Sequence, residues 1–343
     1  MNTKLKRFLE FLFVAIVTAV ILVTSPFNPW VSNAFTQVQS QILDIAHAVR
    51  EGYLAYVELD GHYGPVVYEF YGLGYLLTET HVIHFIMEAV FIFFTVLFLY
   101  KTAKLYTSPV FAAVAASGLT IFEWGALTHA GAEEMMVFFL TLTCYHLAKQ
   151  LKLGFLSHHS YLLAIDFGLV CFLQTGYAVF WLLLIVFLGI KFKIDGLEGK
   201  AYRLYWKSIF QGIITVFVPL GIYLWYFKNS SAFFEKVVVY NLTNMGSFAA
   251  GFKVVCGTPW VLFLAVLIVV LIVKIIKDEE VTDLCCWLGV TIVGLFVIAL
   301  QNENLDSYVE LSKVFYIVPF AALLSLLDKP FGFEVEDMNY NNK

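Results

Sequence analysis

Long runs of apolar residues recur along almost the whole of this chain and limit what it can fold into. Within residues 82–100, for example, the only Asp, Glu, Lys or Arg is Glu88. Hydrophobic residues make up 60% of the 343-residue sequence and charged residues 14%, whereas a soluble domain carries about 25% charged residues. Because a backbone inside a bilayer must satisfy its own polar groups, such runs favour helices. The sequence therefore predicts an all-α polytopic membrane protein.

Ten segments are apolar enough to be predicted as membrane-spanning helices. They are residues 8–25, 82–100, 109–127, 134–148, 161–173, 177–190, 208–227, 259–276, 284–300 and 313–327. Met1–Arg7 and the apolar run after it have the order of a signal peptide, but no small-residue cleavage site interrupts the run, so we expect a retained first helix. We expect one membrane domain over residues 1–327 and a cytoplasmic acidic tail over 328–343.

Lysine and arginine predict the orientation, because loops rich in these residues stay in the cytoplasm. Lys4, Lys6 and Arg7 precede the first span and predict a cytoplasmic N-terminus. The segment 26–81 has Arg50 as its one Lys or Arg and contains six carboxylates, so it is predicted to be a large outer loop. Continued alternation also places the C-terminus in the cytoplasm. The expected location is the plasma membrane of a bacterium.

The apolar run 161–190 needs a different explanation, since the loops on both sides of it are rich in lysine. One crossing cannot begin and end on the same side of the membrane. The run is interrupted at Gln174–Gly176. It therefore predicts two short helices that meet at a tip near the outer surface.

The outer loop 26–81 is itself predicted to contain helices. One carries apolar residues three or four positions apart, at Phe35, Val38, Ile42, Ile45 and Val49. That spacing indicates a helix lying on the membrane surface.

A second loop helix is predicted over Val66–Leu77, begun by Pro65, which is favoured at the first helical position. We expect its Tyr68, Tyr71 and Tyr75 to form an aromatic edge at the membrane interface.

A polar stretch, Tyr56–Pro65 (YVELDGHYGP), separates these two helices. In an extended segment alternate side chains point the same way, so Glu58, Asp60 and His62 would share one side. Such a grouping is what a general base or a cation site would use. The alternative is a solvated loop whose carboxylates face water.

Other ionisable residues lie at the ends of apolar runs or inside them. Glu133 and Glu134 begin a predicted span, where carboxylates also compensate the helix dipole. Glu88 and Glu123 lie within apolar runs, where an ionisable residue is a sign of function. The structural alternatives are a pair between Glu88 and His84, and an interfacial position for Glu123.

The loop 228–258 supplies three lysines that could bind a phosphate, Lys228, Lys236 and Lys253; the alternative is that they are ordinary surface lysines. The five cysteines show neither a disulfide framework nor metal-ligand spacing, so no metal centre is predicted. No basic stripe indicates a nucleic-acid partner.

The order of these features resembles the multi-spanning glycosyltransferases of the GT-C fold. The similarity is to bacterial relatives of the protein-mannosyltransferase and aminoarabinose-transferase group. Tyr56–Tyr68 (YVELDGHYGPVVY) resembles a Y-x-D/E-x-x-D-H-K-G-P type of segment in their first outer loop. Gly131–Glu134 resembles a Gly/Thr-Glu-Glu before their fourth span. Val239–Leu242 resembles an aromatic-Asn segment of a later outer loop, and Asp306–Tyr308 resembles part of the last one.

This resemblance implies a function in cell-envelope glycan assembly. A membrane lipid, a polyprenyl phosphate, would carry the sugar and enter between helices, and a glycan or protein acceptor would receive it on the outer face. A divalent cation or Lys and Arg side chains would neutralise the lipid phosphate. The implied catalytic residues are Glu58 and Asp60, with Asp44 in reserve; the implied substrate-binding residues are His62, Tyr63, Glu133, Glu134, Lys236 and Lys253.

The chain departs from the family pattern at three positions where charge would do chemistry. Residues 33–40 contain no carboxylate, where relatives have an aspartate base. His62–Pro65 reads His-Tyr-Gly-Pro instead of His-Lys-Gly-Pro, and Gln174–Gly176 is neutral. The alternative is therefore a non-catalytic GT-C-like protein that binds a lipid carrier or supports a catalytic membrane partner. A secondary transporter fits less well, because the chain shows no paired inverted halves.

Overall fold

The computed structural model describes residues 3–31, 35–243, 245–257, 261–277, 279–301, 311–328 and 330–331. Over these ranges the chain is helical, and its only β-type pairing is an isolated bridge between Ala55 and Leu59. The predicted all-α class is confirmed. Two predicted features, the Asp306–Tyr308 motif and nearly all of the acidic tail 328–343, lie outside the described residues.

The helices follow one another along the chain, and each of the ten predicted spans overlaps at least one of them. They are α1 Thr3–Leu22, α2 Gln37–Arg50, α3 Pro65–Gly74, α4 Val82–Ala103, α5 Pro109–Phe122, α6 Trp124–Leu127, α7 Ala132–Leu153, α8 Ser157–Cys171, α9 Thr175–Ile194, α10 Gly199–Tyr226, α11 Ser230–Phe233, α12 Tyr240–Thr243, α13 Phe248–Gly257, α14 Val261–Ile276, α15 Thr282–Ala299 and α16 Ile317–Asp328. A π-helical turn, Phe234–Val239, lies between α11 and α12, and a 3-10 turn, Ser312–Tyr316, precedes α16.

Four helices of the described part are both long and apolar enough to cross a membrane. They are α4, α9, α10 and α15. Large apolar side chains such as Phe94, Leu182 and Phe210 remain exposed on their outer surfaces, as expected for helices that face lipid. The fold fits an α-helical membrane protein. Ten crossings stay a prediction.

The predicted interruption between the two short helices is present. Helix α8 ends at Cys171 and α9 begins at Thr175, so Phe172–Gln174 form a helix break. Helix α9 is longer than predicted: its 20 residues correspond to about 30 Å of length. Past the apolar run, Lys191 in its last turn pairs with Asp195 at its C-terminal cap.

Polar contacts collect at the two ends of the helix bundle. At one end, which we call the far end, Asp328 accepts hydrogen bonds from the Thr107 hydroxyl (3.0 Å) and the Ser108 N–H (3.2 Å). Its carboxylate therefore compensates the positive N-terminal end of α5. Lys152 and Asp283 pair at the same end (2.9 Å). The segment 26–81 belongs to the opposite end, the loop end.

Helix α2 forms where the apolar spacing predicts it. The Thr36 hydroxyl accepts from the Gln39 N–H (3.2 Å), and the Gln39 side chain accepts from the Thr36 N–H (2.8 Å), which makes a capping box. Its apolar face, with Ile42 and Ile45, is buried, and the helix packs against α3.

The predicted aromatic edge on α3 is wrong. Tyr68, Tyr71 and Tyr75 are only 1%, 2% and 7% exposed. Helix α3 packs between α2 and α4, and the Tyr71 hydroxyl donates to Glu134 inside the protein (3.0 Å). Tyrosine suits a buried site of this kind because its hydroxyl finds a partner there.

Helix α13 approaches the end of α15 so closely that only glycine fits at position 251. A Cβ atom added to Gly251 would lie 1.8 Å from the carbonyl oxygen of Ala299, whereas one added to Gly257 in the same helix would meet no atom within 4 Å.

We therefore expect Gly251→Ala to destabilise the protein by about 1–3 kcal/mol, the usual cost of overpacking. The matched control, Gly257→Ala, should be neutral or slightly stabilising, because alanine is the better helix former. Melting temperatures of the purified variants check this. Equal melting temperatures would contradict the close approach of α13 and α15.

Candidate functional site

The first half of the polar stretch is folded back on itself. Tyr56 has a left-handed backbone (φ 71°), and the Glu58 N–H donates to the Leu54 carbonyl (3.0 Å). The Glu58 carboxylate accepts from the Leu54 N–H (2.7 Å), so this side chain closes its own turn. The predicted alternation of Glu58, Asp60 and His62 in an extended segment is therefore wrong.

The second half of the stretch docks onto the helix break. The Gly64 N–H donates to the Leu173 carbonyl (2.9 Å), and the Val66 N–H donates to the Phe172 carbonyl (3.2 Å). These carbonyls follow the last turn of α8 and have no partner in that helix. A Cβ on Gly64 would lie 1.8 Å from the Phe172 oxygen. Glycine is thus required for this docking.

An aromatic floor lies beneath the docked loop. The Tyr56 hydroxyl donates to the Tyr63 carbonyl (2.8 Å), and the Tyr56 ring contacts Phe233, which stacks on Phe172 at 5.5 Å. Burial raises the pKa of the Tyr63 phenol well above its ordinary value. Tyr63 therefore stays neutral at physiological pH and can act only as a hydrogen-bonding hydroxyl.

Asp60 and His62 meet the segment that follows α11. Lys236, in the π-helical turn, pairs with Asp60 (2.9 Å), and the His62 ring stacks on Tyr240 at 4.0 Å and 13°. The Asn241 amide donates to the His62 carbonyl (3.3 Å). We call these five residues the loop junction. Three predicted site residues come together here, and they come from two loops that are far apart in sequence.

The electrostatics of the junction keep Asp60 ionised. The hydrogen bond from Lys236 and the positive charge of that lysine lower the pKa of Asp60 below its ordinary value. Asp60 is also exposed to solvent. A ligand in solution can therefore reach Asp60 without any rearrangement of the core, but while Lys236 holds it the carboxylate is a weaker proton acceptor than usual.

Two buried amides lie below the junction, and no contact was predicted from the sequence for either of them. The Gln174 side chain, in the helix break, donates to the Asn241 side chain (3.0 Å). Gln301, after the end of α15, donates to the Gly176 carbonyl (3.4 Å). The sequence did contain a sign of this role. Each glutamine lies at the end of an apolar helix, where its side chain can form hydrogen bonds with backbone groups that the helix leaves unpaired.

Glu134 belongs to a second polar cluster, inside the bundle. It accepts from the Tyr71 hydroxyl and interacts electrostatically with Glu88, whose carboxylate accepts from the Ser25 hydroxyl. The alternative pairing of Glu88 with His84 is wrong, because the His84 ring bonds to the Tyr71 carbonyl instead (2.8 Å). Glu88 and Glu134 each keep one buried carboxylate oxygen without a hydrogen-bond partner.

Glu133 lies between this interior cluster and the loop junction. Its carboxylate is 3.6 Å from the His129 ring nitrogen, and its charge acts on the phenol of Tyr63. Glu123 is fully buried in the protein and interacts electrostatically with Lys313.

The two remaining predicted residues lie elsewhere. Asp44 is exposed on α2, near Tyr75; burial of that phenol, and then the charges of Asp44 and Glu79, raise the pKa of Tyr75 to about 12. Lys253 is exposed on α13. Within the described ranges, neither forms a hydrogen bond or an ion pair with the loop junction.

The expected divalent cation has no dedicated set of ligands in the described part of the chain. No group of three or more His, Cys, Asp or Glu there is arranged to hold a metal ion. An Mg²⁺ ion held mainly by lipid phosphate needs only one or two protein carboxylates. Binding of a cation at Asp60 therefore stays a prediction.

No protein-family model matches the chain, and no match to a curated protein or to a solved structure was found. The class that the fold supports is an α-helical membrane protein. The GT-C resemblance depends on the sequence motifs alone.

Gly64→Ala tests the docking of the loop. We expect a loss of about 2–4 kcal/mol, because overpacking costs about 1–3 kcal/mol and a hydrogen bond contributes about 1 kcal/mol. Hydrogen–deuterium exchange should accelerate across residues 54–66. Gly125→Ala is the control, since a Cβ there meets nothing within 4 Å. Unchanged exchange in Gly64→Ala would contradict the docking.

Asp60→Asn tests the ion pair through its pH dependence. Because the pKa of Asp60 is lowered in the folded state, the pair stabilises the protein above about pH 4, the ordinary carboxyl range, and this stabilisation is lost as the pH falls through the lowered pKa. The melting temperature of Asp60→Asn should lie slightly below that of the wild type at pH 7, and the gap should close at pH 3. The difference should also shrink in 1 M salt. A gap that widens in acid would contradict this assignment; Glu51→Gln is the control.

Proposed function

We propose that this protein is a GT-C-like membrane glycosyltransferase of cell-envelope glycan assembly. It would transfer a sugar from a polyprenyl-phosphate carrier to an acceptor at the extracytoplasmic face. The observation that carries the proposal is the loop junction, where an ionised carboxylate, a lysine and a stacked aromatic pair meet beside a helix break. Transfer from a lipid-linked sugar would use such groups together, the carboxylate as a base and the lysine as a partner for the phosphate.

Each junction residue has a role in such a transfer. Lys236 already pairs with an anionic group, Asp60, and would exchange it for the lipid phosphate. Release of Asp60 leaves a carboxylate that can accept the proton of an acceptor hydroxyl. The flat face of the His62–Tyr240 stack would support the sugar ring.

The proposed orientation places the loop end outside and both termini in the cytoplasm, with about ten crossings of the plasma membrane. Its support is the distribution of charge. The far end carries lysines at the ends of three helices, Lys104, Lys152 and Lys191, whereas carboxylates outnumber lysine and arginine in loop 26–81. Cytoplasmic loops are the ones enriched in lysine and arginine.

A second candidate is a non-catalytic protein of the same kind, which binds a lipid carrier or supports a catalytic membrane partner. A specific observation favours it: both nearby carboxylates are already engaged, Glu58 in its own turn and Asp60 with Lys236. In this alternative, Lys236 would still bind lipid phosphate, but no base would act.

Turnover with purified protein in nanodiscs separates the two candidates. With polyprenyl-phosphate sugars and a glycan or peptide acceptor, Asp60→Asn should lower kcat at least about 100-fold, the usual loss on removing a general base. Lys236→Met should mainly raise KM for the lipid donor. Glu51→Gln and Lys207→Met, which lie outside the junction, should behave as the wild type.

Two results decide against this proposal, the first against its site residues and the second against its activity. Full activity in the double variant Glu58→Gln, Asp60→Asn would remove the assigned bases. Absence of turnover, together with lipid-phosphate binding that Lys236→Met abolishes, would support the non-catalytic candidate.

A further inference from the structure

Glu88 and Glu134 form a pair of buried carboxylates inside the bundle, which we call the acid pair. Each side chain is only 1% exposed. Glu88 lies in the second turn of α4 and Glu134 in the first turn of α7, and these two helices pack against each other. The charges of the two side chains act on each other. Two acidic groups therefore share one site that is shielded from bulk water.

Each carboxylate of the acid pair has one oxygen in a hydrogen bond and one that is not. The Ser25 hydroxyl donates to Oε2 of Glu88, and the Tyr71 hydroxyl donates to Oε2 of Glu134 (3.0 Å). The Oε1 atom of each glutamate is buried and accepts no hydrogen bond from the described residues. Buried polar atoms in native proteins nearly always have a partner. One acceptor atom on each side chain is thus open to a further hydrogen bond.

The acid pair has no cation to compensate it in the described part of the chain. There the polar and electrostatic partners of Glu88 and Glu134 are Ser25, Tyr71 and each other. Neither carboxylate therefore forms an ion pair with a described lysine, arginine or histidine. Two uncompensated negative charges would lie side by side if both groups were ionised.

The titratable neighbours of the acid pair on its own helices have other partners. His84, one turn before Glu88, bonds to the Tyr71 carbonyl (2.8 Å) and interacts electrostatically with His81. Glu133, next to Glu134, adds a third carboxylate, and its charge is directed to the ring of His129 (3.6 Å). These groups do not supply a positive charge to the acid pair.

Charged groups on the other helices that contact α4 are also engaged elsewhere. Glu10 on α1 pairs with Lys104 (2.6 Å), and Asp328 at the end of α16 accepts from the start of α5. Glu123, at the end of α5, interacts with Lys313. The compensation of the acid pair must therefore come from outside the described side chains.

A single proton satisfies both the charge and the hydrogen bonding of the acid pair. An unpaired charge is costly to remove from water, and two carboxylates that share a site disfavour each other's ionisation. With one proton, the carboxyl group of one glutamate can donate to the carboxylate of the other, so both Oε1 atoms gain a hydrogen bond. The one remaining negative charge is stabilised by the hydroxyls of Ser25 and Tyr71.

We propose that the acid pair binds one proton, which lies between Oε1 of Glu88 and Oε1 of Glu134. The pair then carries one negative charge at neutral pH and joins α4 to α7 by a hydrogen bond. A metal ion is the poorer ligand, because no group of three or more His, Cys, Asp or Glu in the described ranges is arranged to hold one. Acidic residues within membrane proteins often bind protons in this way. The proposal is independent of sugar transfer at the loop junction.

Infrared difference spectroscopy of the full-length protein at pH 7 counts the protons of the acid pair. A protonated carboxyl and a carboxylate absorb in separate bands, so wild type minus Glu88→Gln, Glu134→Gln should show the loss of one of each. Glutamine has nearly the size of glutamate, and its amide can form the hydrogen bond in place of the proton. Glu51→Gln, at the exposed C-terminal cap of α2, is the control and should lose one carboxylate and no protonated carboxyl.

Two other counts would overturn the proposal. Loss of two carboxylates would show that both groups are ionised, and loss of two protonated carboxyls would show that each holds its own proton. If the glutamine variant does not fold, Glu88→Met, Glu134→Met gives the same count, since apolar side chains often replace buried charged groups without loss of stability.

A comparison of sodium and choline salts separates a proton from a metal ion. The wild-type spectrum should be the same in both salts at equal concentration. Replacement of the protonated carboxyl band by a carboxylate band in sodium would assign the acid pair to a metal cation and contradict the proposal.

Discussion

The arrangement of the loop end depends on which groups form hydrogen bonds with the non-helical backbone between α8 and α9. A non-helical backbone within a membrane protein must find partners for its polar groups, and a buried group left unpaired costs about 1–3 kcal/mol. Here the chain itself supplies them. The carbonyl of Cys171 accepts from the Thr175 hydroxyl (2.9 Å), and those of Phe172 and Leu173 accept from the docked loop. The break and the loop therefore stabilise each other, and the loop junction exists because of this mutual fit.

The ion pair at the junction plays a different part. Asp60 and Lys236 are both accessible to water, and exposed ion pairs contribute little to stability because water and salt screen them. The backbone docking and the aromatic floor hold the loop, whereas the ion pair leaves two charges of opposite sign ready for a ligand. The buried amide of Gln174 donates to the half-buried amide of Asn241 and so joins the two parts. Stability and chemistry are thus assigned to different contacts in the same loop.

Local features of this structure could be predicted from the sequence, and its long-range contacts could not. Apolar spacing predicted α2, Pro65 predicted the start of α3, and Gln174 marked the helix break. The sequence signal for the start of α2 also existed, as Thr36 and Gln39 have the spacing of a capping box. Asp60 and Lys236 are 176 positions apart, and no local pattern could pair them. The α3 tyrosines were misplaced because an amphipathic ring suits a membrane interface and a buried polar site equally well.

Proximity of the polar stretch Tyr56–Pro65 to the segment that follows α11 is the central claim, and cysteine cross-linking in native membranes tests it most directly. His62→Cys and Tyr240→Cys would be combined in a chain whose five native cysteines are replaced by alanine. Because the native rings stack at 4.0 Å, a bifunctional thiol reagent with a short spacer should join the two positions rapidly. Absence of the cross-link in protein that is folded and labelled at each single cysteine would contradict the account.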